Sequence, residues 1–193
     1  GDTQMGRVVS SKRDARVYSL LTESLDQLLR RKTFSQGNFV DSQHLYEEMV
    51  RLSDAERSVW EFLMQRRVMD GSVGYIALSP DASTSLFESY GSDVVVSVAR
   101  SATDRLAEES GRMGLVVYYD EQTENSLLQC RMRRNYGYED VDLRNILDRL
   151  QIDDGGGHPG AIGFRYPKSK IKDYPKLIER IVTAANQLVA EAE

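Results

Sequence analysis

The run Gly155-Gly156-Gly157-His158-Pro159-Gly160-Ala161-Ile162-Gly163-Phe164 constrains this chain more than any other stretch. Three successive glycines open the backbone to φ > 0 conformations and leave its amides uncovered, and Gly156 is the position at which a positive φ is expected. Successive N–H groups in such a turn converge into a concavity that suits an anion. His158 adds a side-chain donor directly behind them, and the apolar residues that follow read as a strand anchoring the loop. Phosphate or carboxylate is the ligand chemistry this predicts; a plain turn with a chance histidine is the competing reading. The Gly-Lys-Ser/Thr of a P-loop is absent, and the spacing is not the G-x-G-x-x-G of a dinucleotide fold.

Around this run, strands and helices alternate. Val73 to Leu78 is a short apolar segment suited to a central strand, and Ser79-Pro80-Asp81 reads as a turn. Residues 92–109 include Val94-Val95-Val96, yet Val95, Val98, Ala99, Ala102 and Leu106 keep helical spacing, which predicts a helix. Leu115 to Tyr119 reads as a second strand and residues 126–134 as a third. In the third, Leu128, Cys130 and Met132 share one face, while Gln129, Arg131 and Arg133 share the other. A helix over 141–150, a fourth strand over 161–166 and a final helix from about Asp173 follow. Upstream, a helix over 12–32 is capped by Ser10 or Ser11, and a second spans about 41–51. The capping box Ser53-Asp54-Ala55-Glu56 opens a third, which carries Val59, Trp60, Leu63 and Met64. The fold class is α/β: a mixed central sheet of about four to five strands flanked by helices, preceded by helical linker segments.

Composition narrows the function. A hydrophobic fraction of 40% with 28% charged residues is that of a soluble globular protein, and no apolar run approaches the roughly 20 residues of a membrane span. The single Cys130 excludes an intrachain disulfide and predicts a cytoplasmic address. Two histidines and one cysteine exclude a zinc site of clustered Cys and His. A net charge of −5 disfavours non-specific grip on duplex DNA, whereas a local basic cluster can still hold a small anion. Arg131 and Arg133 supply such a cluster; Arg165, Lys168, Lys170 and Lys172 read as solvated surface.

The GGGHP run, followed by Ala161-Ile162-Gly163, resembles the signature of the DHH-associated C-terminal domain of DHH-family phosphoesterases. That family includes oligoribonucleases acting on very short RNAs, adenosine-bisphosphate phosphatases, cyclic-dinucleotide phosphodiesterases and RecJ-type exonucleases. The resemblance implies a DHH-associated substrate-binding domain over 71–193, a helical linker over 34–70 and a remnant of the catalytic domain over 1–33. Gly1-Asp2-Thr3 resembles the last metal-binding motif of that catalytic domain, which makes Asp2 a ligand of Mn²⁺ or Mg²⁺. The family's catalytic half carries an early D-x-D element and a DHH triplet. This chain has no DHH triplet and no D-x-D near its start, which implies a fragment inactive by itself.

By the same resemblance, Arg131 or Arg133 with Gly155, Gly156, Gly157 and His158 binds the substrate's terminal phosphate, and no catalytic residue is assigned. The implied partners are short single-stranded RNA or DNA or a small phosphorylated nucleotide, with a homodimer allowed. Two readings stand: the substrate-binding part of a metal-dependent phosphoesterase, or a non-catalytic nucleotide- or RNA-binding module. An oligomerisation domain built on the helices of residues 41–67 is a third.

Overall fold

A computed structural model of the protein describes residues 11–30, 42, 51–120 and 127–192. Two compact units divide the chain, Gly1–Ser53 and Asp54–Glu193. In the first, helix α1 (Lys12–Arg30) begins where expected, with Ser11 Oγ accepting the Asp14 amide at 3.0 Å. Asp2, the start of the linker expected from 34 and most of the helix predicted over 41–51 lie outside the described residues.

The second unit is built on a six-stranded sheet. Its strands are β1 (Val68–Asp70), β2 (Val73–Ala77), β3 (Met113–Asp120), β4 (Leu127–Arg134), β5 (Gly155–His158) and β6 (Ala161–Pro167). The spatial order is β1-β2-β3-β4-β6-β5, with β2 and β3 parallel and every other pair antiparallel. This is the mixed α/β sheet expected, with β1 and β5 as additional edge strands.

Helices α2 (Asp54–Met64), α3 (Pro80–Tyr90), α4 (Ser92–Ser110), α5 (Asn145–Leu150) and α6 (Tyr174–Ala192) flank it. On one face Leu115, Val117, Leu128, Cys130, Met132, Ile162 and Phe164 pack with Ile146 of α5 and with Ile181, Ala185 and Leu188 of α6. On the other, Ile76, Val116 and Tyr118 pack with Val59 and Leu63 of α2, Leu86 of α3 and Val98 and Leu106 of α4. A Cβ on Gly114 would stand 2.0 Å from the Thr103 carbonyl oxygen. Glycine there lets α4 lie against β3.

Covering helices on that second face reach only part of the sheet. α4 packs on β2 and β3 and touches the near edge of β4. Beyond it, Gly163, Arg165, Gly156 and His158 are exposed. This strip of β4, β6 and β5, which no described helix of the unit covers, is the structural setting of the site.

Three local expectations change. Ser79-Pro80-Asp81 is a helix start: Ser79 Oγ accepts the Ala82 amide at 3.2 Å and Pro80 occupies the first helical turn of α3. The glycine run is strand β5, an edge strand, and the reversal falls at Pro159-Gly160. The helix predicted from 141 starts only at Asn145, because Val141 and Leu143 are buried in irregular chain before it. The chain's one D-x-D spacing, Asp140-Val141-Asp142, lies in that segment. Val141 is buried there, and Asp142 holds Arg144 through bonds of 2.6 and 3.0 Å.

Candidate phosphate-binding groove

Strand register sets the site. Val116 pairs with Arg131, Arg131 with Gly163, and Gly163 with Gly156, which makes one row across the bare strip. Gly114, Arg133, Ala161 and His158 make the next row, and Tyr118, Gln129 and Arg165 the row on the other side. Alternation puts all of these on one face, because Cys130, Met132, Ile162 and Phe164 between them enter the core. Two adjoining hollows result, with Arg131 common to both. One, of about 260 Å³, is lined by Gln129, Arg131, Gly156, Gly163 and Arg165. The other, of about 160 Å³, is lined by Arg100, Thr103, Asp104, Arg131 and Arg133.

The arginines differ in what holds them. Arg131 Nε donates to the Tyr118 hydroxyl at 3.3 Å, and Tyr118 is itself buried with its ring 5.6 Å from that of Phe87. A neutral phenol thus orients Arg131 without neutralising it, and no described carboxylate forms an ion pair with it. Arg133 Nε lies 2.9 Å from Asp104 Oδ1, across from α4. The approach is off the N–H direction, so this buried oxygen has charge contact but no aligned hydrogen bond. Burial holds the Asp104 carboxyl above its ordinary value; Arg133 opposes that shift and Glu108 reinforces it. Arg134 is committed elsewhere, since its Nη1 donates to the Glu139 and Val141 carbonyls at 2.6 Å each.

Of the three adjacent glycines, only Gly157 has a positive φ, at 145°. A Cβ there would lie 2.2 Å from the Ala161 carbonyl oxygen. At Gly155 a Cβ would meet Phe164 Cβ at 2.7 Å and Leu147 Cδ2 at 3.0 Å. Gly156, expected to need the positive φ, does not have one, and its added Cβ would meet nothing within 4 Å. Gly163 opposite is also open, its nearest atom being Cys130 O at 3.9 Å. Neither backbone conformation nor packing therefore calls for glycine at 156 and 163. His158 is exposed, and its Nδ1 accepts the Gly160 amide at 3.2 Å, which leaves Nε2 to carry the proton of the neutral ring.

Arg131, Arg133, Gly156 and His158 come together on one face; Gly155 and Gly157 support the strand from the core side. Arg165, read from sequence as solvated surface, instead walls the larger hollow. Its Nε donates to Gln129 Oε1 at 3.1 Å, and its Nη1 is 4.0 Å from Asp154 Oδ1. The signal was present: Ala161, Gly163 and Arg165 alternate with buried Ile162 and Phe164. Tyr118 and Asp104 had no such signal, because each reaches the site only through register and helix packing.

This architecture is a mixed α/β sheet flanked by helices, the fold that the resemblance to a DHH-associated domain implied. It is shared with an exopolyphosphatase-related protein from Bacteroides fragilis at a TM-score of 0.63 and 10% identity, over 92% of this chain and 44% of that one. A pGpG-specific phosphodiesterase, PggH, from Vibrio cholerae aligns at a TM-score of 0.45 and 12% identity, over 95% of this chain and 64% of that one. RecJ with Mg²⁺ from Thermus thermophilus aligns at 0.44 and 15%, over 94% and 22%. The chain thus spans less than two thirds of each of these proteins. No family model and no curated protein sequence matches it.

Proposed function

We propose that this chain is the substrate-binding part of a metal-dependent phosphoesterase that hydrolyses short oligonucleotides or small nucleotide phosphoesters, with residues 71–193 as its phosphate-binding domain. The row Arg131–Gly163–Gly156 carries the reading. It sets a guanidinium without a described carboxylate partner beside two glycines whose missing side chains serve no purpose in the fold. A phosphoryl group is the natural occupant, because a guanidinium binds it in bidentate fashion and a glycine floor admits it close to the backbone. The DHH-family resemblance and the fold shared with an exopolyphosphatase-related protein support the same class of ligand.

Among the described residues, no group of three or more His, Cys, Asp or Glu side chains is placed to hold a metal ion. Asp2, the one ligand the resemblance implies, lies outside them. The described residues do not fit a metal centre.

Titration calorimetry with a 5′-phosphorylated dinucleotide, the same dinucleotide without the phosphate, and a nucleoside tests the proposal. The phosphorylated species should bind best, and Arg131→Ala should weaken it by about 1–3 kcal/mol, the range for a charged hydrogen bond. Equal binding of the bare nucleoside would remove the phosphate reading. Measured turnover in the presence of Mn²⁺ separates an enzyme part from a binding module: hydrolysis by the parent protein, lost with Arg131→Ala, supports the former.

A further inference from the structure

Resting on that reading, we propose that Asp104 is a built-in competitor for the phosphate, occupying Arg133 until the ligand displaces it and so coupling anion binding to uptake of a proton. Four observations meet here. Asp104 projects from α4 to the wall of the smaller hollow, with Arg133 Nε 2.9 Å from its Oδ1. The hollow also contains Arg131, which no described carboxylate pairs, so Asp104 neutralises one guanidinium and spares its neighbour. Arg133 remains 42% exposed and is reachable by a ligand without disturbing the core. Finally, Asp104 Oδ1 has no aligned donor and both side chains are about two-fifths exposed, so water can replace the contact and the pair gives way at low cost.

The direction of the coupling follows from charge. In the free protein Asp104 faces Arg133 and Arg131 from β4 and shares its helix with Arg100 and Glu108. Burial and Glu108 favour the neutral acid, and Arg133 favours the carboxylate. A bound anion that takes Arg133 removes the attraction and adds a repulsion. The carboxyl's proton affinity then rises, and binding draws in a proton. Affinity therefore increases as pH falls. A doubly charged phosphate gains most, since it brings the most repulsion to bear on an ionised Asp104.

Inorganic sulfate is the probe, because its own charge stays at −2 over pH 5–8 and cannot produce the effect. Its affinity is measured across that range for the wild type, Asp104→Asn, Arg133→Gln and the double variant, each checked by thermal melting for a folded state. Asp104→Asn should bind sulfate about 5- to 20-fold more tightly at pH 7.5, as expected when a fixed like charge leaves a partly buried anion site. Its pH dependence should be shallower than that of the wild type. In the Arg133→Gln background the gain should disappear. Unchanged affinity in Asp104→Asn, or a gain that survives Arg133→Gln, overturns the competitor role while leaving the groove intact. Absence of binding by sulfate and by phosphorylated dinucleotide to the wild type would instead remove the groove reading on which it rests.

Discussion

Gly157 holds a φ of 145°, and the space a methyl group would need is taken by the Ala161 carbonyl. Gly157→Ala should therefore destabilise the protein by about 2–4 kcal/mol, the sum of backbone strain and a forced shift of the β5–β6 turn. Gly156→Ala should change stability by less than about 0.5 kcal/mol, because its backbone is free of the left-handed region and its face is open. It should nevertheless weaken binding of a 5′-phosphorylated dinucleotide several-fold, since the methyl enters the floor of the groove. Thermal melts beside calorimetry read the two effects apart; equal losses of stability at 156 and 157 would show that both glycines serve only the turn. At this scale the sequence told much. Strand alternation alone places Arg131 and Arg133 on one face. It could not rank them, because the partners that distinguish them, Tyr118 and Asp104, lie 13 and 29 positions away along the chain.

Among the elements, α2 is the piece that a boundary at residue 71 would remove. Val59 and Leu63 are fully buried against the sheet face that carries Ile76 and Val116. Each contributes about 1.5–3 kcal/mol on area grounds. A chain of residues 54–193 should melt cooperatively, and one of residues 71–193 at markedly lower temperature. Equal melting temperatures would show α2 to be dispensable and favour the 71–193 boundary. Element types were legible wherever period was strong: α4 follows its 3.6 spacing despite three consecutive valines, and α6 is the final helix expected, burying Ile178, Ile181, Ala185, Leu188 and Val189. Short elements were not. Ser79-Pro80-Asp81 supports a turn and a helix start equally well by composition, and only the chain beyond it decides. Strand β5 is three glycines and a histidine, with no β-propensity to announce it; pairing with β6 makes it a strand.

For the whole molecule, alkaline pH tests the helix-covered core. Burial pushes the Tyr166 phenol up to about 12 and raises those of Tyr119 and Tyr174 as well. A folded-state value above the unfolded one means that the contribution is present below about pH 10 and lost as pH rises toward 12. Stability should fall across that window, and Tyr166→Phe should recover about 1 kcal/mol of the loss, reduced from the full two-unit shift because the residue is partly exposed. Urea melts at pH 9 and 11.5 measure it; identical pH slopes for both proteins would rule it out. Net charge of −5 with a basic groove also predicts that phosphate binding weakens with added salt, since the attraction is local and screened over about 10 Å at 0.1 M.

The incomplete helical cover of the second sheet face has a consequence for measurement. No described helix of this unit covers Arg131, Arg133 and Arg165, and water of high dielectric constant at such a face dilutes each of their charges. A surface laid over the strip, from the same polypeptide or another, would expel that water and strengthen the same guanidinium–phosphoryl bonds without moving an atom of this chain. The ratio of covered to uncovered affinity would report how dry the closed site becomes.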